Sequence, residues 1–178
     1  SHPDQCLVIR LSCDREQGLD FSFRLSPALN AHLLMEEKAL AFHGNAPVCH
    51  YLHAHETEGK SGMLYGEKDE DKGMGFYARA EMEHQGGYAI RRGGAIHVFG
   101  ASQATLYLDI RTSFNGWDKH PVLEGKPYVQ PCRDTLQKAK ETGFDALLSR
   151  HIHDHQALYH ACTLSLGEGA SLPTDERL

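Results

Sequence analysis

The sequence predicts a mainly β fold, an antiparallel β-sandwich with two C-terminal α-helices. Apolar and polar residues alternate in the first half of the chain, and Leu19, Phe21, Phe23 and Leu25 show this most regularly. A period of two is typical of strands that bury one face. After Asp118 the apolar period changes to that of a helix. Strands therefore come first and helices last, an order that favours antiparallel sheets over βαβ units.

The strands are placed by this alternation and by the turns between them. Gly93-Gly94 separates two alternating arms and predicts a tight hairpin turn, because glycine adopts a positive φ without a Cβ clash. A third strand follows at 106–111. Further strands are expected at 6–13, 19–25, 31–35, 38–43 and 75–83. Residues 45–75 are rich in His, Glu, Asp, Lys and Gly, and they predict a long loop.

Two helices are predicted near the C-terminus. The first spans 131–142, with Pro131 at its start and Gly143 as its stop. The second begins at Phe144 and continues to the glycines at 167–169, and its apolar stripe is expected to be buried with His151 packed inside it. The predicted organisation is a β-sandwich at 1–118, a helical linker at 119–166 and a tail at 167–178. The stripe consists of Phe144, Leu147, Leu148, His151, Ile152, His155, Leu158, Tyr159 and Cys162.

Composition excludes several classes of protein. The net charge is −6 and the sequence has no basic stripe, which argues against a nucleic-acid partner. No apolar run is long enough for a membrane span, and no signal peptide is visible. Ser1-His2 resembles the remnant of an expression tag, so we expect the natural N-terminus to be absent and the localisation to be unknown. No cofactor is expected.

The five cysteines are widely spaced and odd in number, and they contain no CxxC pair. This pattern argues against a zinc ribbon or a thioredoxin motif. We expect reduced thiols, which favours an intracellular compartment. The cysteines are Cys6, Cys13, Cys49, Cys132 and Cys162.

Two groups of histidines resemble metal ligands in spacing only. His50, His53 and His55 lie in the polar region, with Glu56 as the only carboxylate placed beside them. His151 and His155 share a helix face, but Ile152 stands where a zinc protease has its glutamate. We therefore expect no metal site. The acidic run at 69–71 lacks the ligand spacing of a calcium loop and is interpreted as a solvated loop tip.

The loop after the third strand carries the single tryptophan of the chain. Asn115, Trp117 and Asp118 are candidate substrate-binding residues, because sugars stack on aromatic faces and their hydroxyls bond to amides and carboxylates. The alternative, which we favour, is that Trp117 packs the junction between the sheet and the linker. No catalytic residue is assigned.

Five segments in order resemble one consecutive run of the family 95 glycoside hydrolases, the α-L-fucosidase family. They are LVIRLSCD, LDFSFRLSP, ATLYLDIRTSFNGWD, GFDALLSRHIHDHQALYHACTLSLG and LPTDERL. The resemblance implies the second half of an N-terminal β supersandwich plus a helical linker, followed in the parent protein by an (α/α)6 barrel that holds the active site. It implies a parent that acts on α-linked fucose or related sugars in glycans, and members of the family are often secreted. No position here matches the catalytic motifs.

The function expected from this resemblance is that of a non-catalytic structural or accessory domain whose partner is the parent's own barrel. The alternatives are a carbohydrate-binding module that uses Trp117, with a glycan as partner, and a His-dependent metal protein. We also expect homo-oligomers, because half of a sandwich exposes strand edges and apolar faces. We expect these faces at 7–11 and 19–25, and residues 48–52 are the candidate cover within one chain.

Overall fold

The computed structural model describes residues 1–36, 39–50, 62–164 and 173–176. The strands are β1 Leu7–Ser12, β2 Leu19–Arg24, β3 Ala31–Glu36, β4 Ala39–Asn45, β5 Cys49–His50, β6 Met63–Leu64, β7 Gly75–Gln85, β8 Tyr88–Arg92, β9 Ala95–Ala101 and β10 Gln103–Thr112. The helices are α1 Val129–Thr142, α2 Phe144–Tyr159 and a 3-10 turn at Thr174–Glu176. The predicted mainly β fold with two C-terminal helices is confirmed.

The strands form a large sheet, a small sheet and a short pair. The large sheet has the order β1-β10-β7-β4-β3, the small sheet has the order β2-β9-β8, and β5 pairs with β6. Every pairing between neighbours is antiparallel. The region predicted as a long loop therefore contains one short strand pair, β5 and β6, which was not predicted. Residues 51–61, which include His53 and His55, lie outside the described residues.

One core lies between the two sheets. It contains the buried residues Leu40, Met82, Ile96, Val98, Ala101 and Ala104. Phe21 and Phe23 of β2 pack against this core from the small sheet, while Ser22 and Arg24 face solvent. The alternation that predicted this strand therefore reflects a half-buried strand.

A second core lies between the large sheet and the helices. Leu136 and Ala139 of α1 and Leu147 of α2 pack on Tyr107 of β10. Beside them, Cys132 lies against Tyr77 and Ala41. All five cysteines are free thiols. Burial raises the pKa of Cys132 to about 12, so this thiol is protonated at neutral pH and acts as a small core residue.

An ion-pair network fixes α1 to the large sheet. Arg79 donates to Glu81 Oε1 at 2.7 Å and to Glu36 Oε2 at 2.6 Å, and Lys140 of α1 donates to Glu81 Oε2. Burial works to raise the pKa of Glu81, but hydrogen bonds from Lys140 and Arg79 outweigh it and hold that pKa below its ordinary value. This network was not predicted from the sequence.

The helix α2 differs from its prediction in length and in burial. It ends at Tyr159, and the prediction that its stripe is buried with His151 inside is wrong, because His151 is exposed. Only the start of the stripe is covered, where Phe144 is half-buried. Leu147 is buried, and Arg150 and Asp154 bond to Asp4 and His2 in the N-terminal segment.

A single glycine joins the two helices. Gly143 ends α1, precedes the first residue of α2 and has a φ of 78°. A side chain is strained at this φ, which explains why the predicted stop is a glycine. Neither helix in the described part of the chain is long and apolar enough to cross a membrane.

Candidate functional site

The loop that carries Trp117 connects β10 to α1 and is built around Ser113. The buried Ser113 hydroxyl donates to the carbonyl of Pro121 at 2.6 Å and accepts from the Gly75 amide at 2.9 Å. The Ser113 carbonyl accepts from the Lys126 amide at 2.9 Å. One residue therefore ties both ends of the loop to the first residue of β7.

His120 organises the far side of the same loop. Its Nδ1 accepts from the amides of Val122 and Leu123 at 3.2 and 3.1 Å. Because Nδ1 is an acceptor in both bonds, the neutral ring carries its proton on Nε2, which lies 3.0 Å from the carbonyl of Glu70. His120 thus holds the turn at 120–124 and links it to the preceding loop.

The aromatic side chains of this loop point away from the protein. Trp117 is 94% exposed, and Phe114 and Leu123 are also exposed. The favoured prediction, that Trp117 packs the junction between sheet and linker, is therefore wrong. Ser113 and His120 hold the loop by polar bonds, so no large apolar side chain is needed to anchor it.

The three candidate substrate-binding residues do not converge on one point. Asn115 donates its amide to the Glu124 carbonyl at 2.7 Å, inside the loop. Asp118 is exposed and lies 3.9 Å from the Lys119 ammonium, and Trp117 faces solvent alone. The arrangement provides an aromatic surface for stacking or packing. It does not bring together two carboxyl groups that could act as a general acid and a general base.

Replacing Trp117 with alanine is expected to change the free energy of unfolding by less than about 0.5 kcal/mol, because the side chain buries almost nothing. Replacing Ser113 with alanine removes a buried hydroxyl with two partners and is expected to cost about 1–3 kcal/mol. Urea unfolding of both variants measures the difference. Equal losses would show that Trp117 packs against the protein after all.

The histidines on α2 form a stack of rings. The centroids of His151 and His155 are 6.3 Å apart, and those of His155 and Tyr159 are 5.9 Å apart. In the described part of the chain, no three His, Cys, Asp or Glu side chains are arranged to hold a metal ion. His50 belongs to β5, and the remaining histidines of its motif are outside the described residues.

Comparison with known proteins decides the family. A family model described as the N-terminal domain of glycosyl hydrolase family 65 matches residues 1–117. The chain belongs to this family. The match supports the predicted glycoside hydrolase N-terminal domain, and it does not distinguish family 95.

One curated relative extends the likeness of this glycosyl hydrolase family 65 N-terminal domain into the helices. "Alpha-L-fucosidase 2" of Arabidopsis thaliana is 22% identical over 179 residues, which cover 98% of this chain. The chain spans only 21% of that relative's length.

Two residues that build the loop were not singled out from the sequence. Ser113 and His120 look ordinary in isolation, since one follows a strand and the other precedes a proline. The spacing of His120 and Glu124 is the available signal, because the Glu124 carboxylate accepts from the His120 amide at 3.0 Å. Such a short-range bond is typical of a polar loop that fixes its own shape.

Proposed function

We propose that this chain is the non-catalytic N-terminal region of an α-L-fucosidase-type glycoside hydrolase of family 95. In this proposal it supports and orients a catalytic barrel supplied by the rest of a longer protein. Two comparisons support the proposal. The chain belongs to a family of glycosyl hydrolase N-terminal domains, and a relative named "Alpha-L-fucosidase 2" aligns along nearly its whole length while being much longer.

The apolar stripe on α2 is the observation that carries this proposal. Leu148, Ile152, Leu158 and Tyr159 are between 42% and 72% exposed. Their spacing is that of a helix which buries one side. Within this chain the stripe is covered only at its start, by the burial of Leu147, and the rest of the stripe is left free. A helical barrel in the same polypeptide is the occupant that we propose.

The large sheet has a second apolar surface without a cover. Leu7 and Ile9 of β1 and Ile110 of β10 are exposed on the face that the small sheet covers elsewhere. An uncovered face of this kind supports the interpretation that more of the sandwich exists in the parent. In the isolated chain a second copy is the competing cover, and self-association stays a prediction. Val48, in the candidate intramolecular cover, is itself exposed.

The buried carboxylates support a structural role. Glu81 is bonded to Arg79 and Lys140, and Asp109 is bonded to Arg111 at 2.7 Å. Both lie beneath or beside α1, where they hold the helix. Neither is free to attack a sugar or to protonate a leaving group, the two tasks that glycoside hydrolysis assigns to carboxyl groups.

The Trp117 loop is the part of the surface that we propose to face the substrate side of the assembled enzyme. Its aromatic ring is fully available for contact, and its backbone is fixed by Ser113 and His120. Asn115 is bonded inside the loop and Asp118 lies beside Lys119, so the ring is the group that the loop offers for contact.

The test uses the isolated chain and the full-length enzyme side by side. The chain alone is expected to release no nitrophenol from an aryl α-L-fucoside, whereas the full-length enzyme releases it. Ile152→Asp in the full-length enzyme is expected to lower activity and melting temperature together, because a buried unpaired charge disrupts the docked helix. In the isolated chain the same change leaves the melting temperature unchanged.

His153→Asp is the matched control, because it adds the same charge to α2 at an exposed position outside the stripe. Hydrolysis by the chain alone would refute the proposal. A full-length enzyme that tolerates Ile152→Asp as well as His153→Asp would refute the docking of α2.

A further inference from the structure

The face of the large sheet beneath the helices continues beyond them as an open polar surface. Arg10, Thr105 and Glu83 lie side by side on β1, β10 and β7. Ser12, Gln103 and Gln85 form the next row across the same three strands. Positions two apart share a face, so these residues point to the same side as the helix-covered Tyr107.

The junction of α1 and α2 turns this surface into a cleft. Lys140 of α1, Gly143 and Phe144 of α2 form one wall, and the buried Thr105 and Tyr107 form the floor. Its volume is ≈ 330 Å³. Pockets for small molecules have volumes of about 300–1,000 Å³, so the cleft suits a ligand at the small end of that range. We call this site the polar cleft.

The two basic side chains of the polar cleft are already paired with carboxylates, which argues against an anionic ligand. Arg10 donates to Asp145 at 3.2 Å, and Lys140 is bonded to Glu81. An anion would have to compete with these carboxylates. Glu83 adds a negative charge at the rim, and burial together with this carboxylate raises the pKa of Tyr107.

The hydrogen-bonding groups of the cleft match hydroxyl groups. Gln85 and Gln103 each offer donors and an acceptor, Glu83 offers acceptors, and Thr105 offers a hydroxyl. A hydroxyl group both donates and accepts hydrogen bonds. A ring with several neighbouring hydroxyls can therefore bond to all of these donors and acceptors at once.

Arg10 shows that the cleft is more than a solvated sheet face. Its guanidinium lies 3.9 Å from the centre of the Phe144 ring, which fixes its position. Its Nε is buried and has no acceptor among the described residues. A buried donor without a partner is rare, but a nitrogen closed off from solvent is out of a ligand's reach, so the part that Arg10 plays in the cleft is the fixed position of its guanidinium against Phe144.

We propose that the polar cleft is an accessory, non-catalytic binding site for one neutral pyranose unit. The choice of sugars to test rests on the proposed function. The site itself rests on the strand register, the cleft and Arg10. It lies on the helix side of the large sheet and shares no residue with the Trp117 loop.

The experiment is an NMR titration of the ¹⁵N-labelled 178-residue chain with L-fucose, D-galactose and D-glucose, and with D-glucuronate as the charged probe. The amides of Glu83, Gln103 and Thr105 are expected to shift with a neutral sugar, at a Kd of about 1–10 mM. Gln103→Ala and Glu83→Gln are each expected to weaken binding about tenfold or more. His153→Ala, at an exposed position of α2 outside the cleft, is expected to leave the Kd unchanged.

Three results would overturn the proposal. They are the absence of cleft shifts with all neutral sugars, shifts centred on the Trp117 loop, and folded Gln103→Ala and Glu83→Gln variants that bind as the original does. If glucuronate binds more tightly than the neutral sugars, the proposal that the ligand is neutral is wrong. The Ile152→Asp test in the full-length enzyme is independent, so failure of the cleft and failure of the proposed function are distinguishable.

Discussion

Replacing Arg79 with alanine is expected to lower the free energy of unfolding by about 1.5–3 kcal/mol, the range for losing a hydrogen bond to a charged group. The side chains of Arg79 and Glu81 are only 12% and 11% exposed. Without the guanidinium, Lys140 is the cation that remains paired with Glu81. The ion pair between Arg79 and Glu36 is lost as well. Urea unfolding followed by circular dichroism measures the loss.

The matched control is Lys72→Ala, which also removes a cation bonded to a carboxylate. Lys72 pairs with the largely exposed Asp69 three residues away. Such surface pairs contribute about 0–1 kcal/mol, so the control is expected to unfold almost as the original does. If Arg79→Ala and Lys72→Ala lose similar amounts, the network on β7 does not fix α1.

The same network gives the stability a defined dependence on pH. The folded-state pKa of Glu81 lies below its ordinary value of 4.5. The contribution of Glu81 is therefore present above that ordinary value and is lost as the pH falls through the lower, folded-state pKa. In Arg79→Ala one of the bonds that lower this pKa is gone, so the difference in stability between original and variant is expected to shrink on acidification.

Replacing Leu136 with alanine is expected to cost about 2–5 kcal/mol, the range for a large-to-small change in a packed core. Leu136 is 0% exposed and joins α1 to Tyr107 of β10 and Leu147 of α2. The cavity would loosen both helices from the sheet. Urea unfolding gives the value directly.

Leu158→Ala is the control for this change, since it removes the same atoms from the exposed stripe of α2. It is expected to change stability by less than about 0.5 kcal/mol in the isolated chain. A large loss in Leu158→Ala would mean that the stripe is covered in solution, for example by a second copy. A small loss in Leu136→Ala would contradict the packing of α1.

The sequence was sufficient to predict the sheets because their pattern is local. A period of two in β2 or β7 reflects the pleat itself, whatever lies opposite. The helices show the limit of such reasoning. The 3.6 period correctly identified an apolar stripe on α2, but periodicity shows that a face is apolar and says nothing about what covers it. His151 and Ile152 were therefore expected to be buried and are exposed.

The candidate site was predictable in composition and not in orientation. A loop with Asn115, Trp117 and Asp118 suggests contact with sugars, but whether the tryptophan turns inward depends on what else anchors the loop. That anchor is Ser113, which bonds residues 38 positions earlier and eight positions later. The pair of Glu81 and Lys140 is separated by 59 positions, so its formation depends on how α1 lies on the sheet.

Gly143 is a hinge between the two helices, so a small rotation there becomes a large displacement at the far end of α2. The helix has 16 residues and is about 24 Å long, so a rotation of about 10° at the joint would move its far end by about 4 Å. The tethers along its length are the contacts of Arg150 with Asp4 and of Asp154 with His2. The side chain of Asp4 is largely buried in the first of these contacts, whereas both partners of the second are at least partly exposed. Beyond the buried Leu147 the far end of α2 is thus held by these two contacts, and a rotation at Gly143 would have to break them.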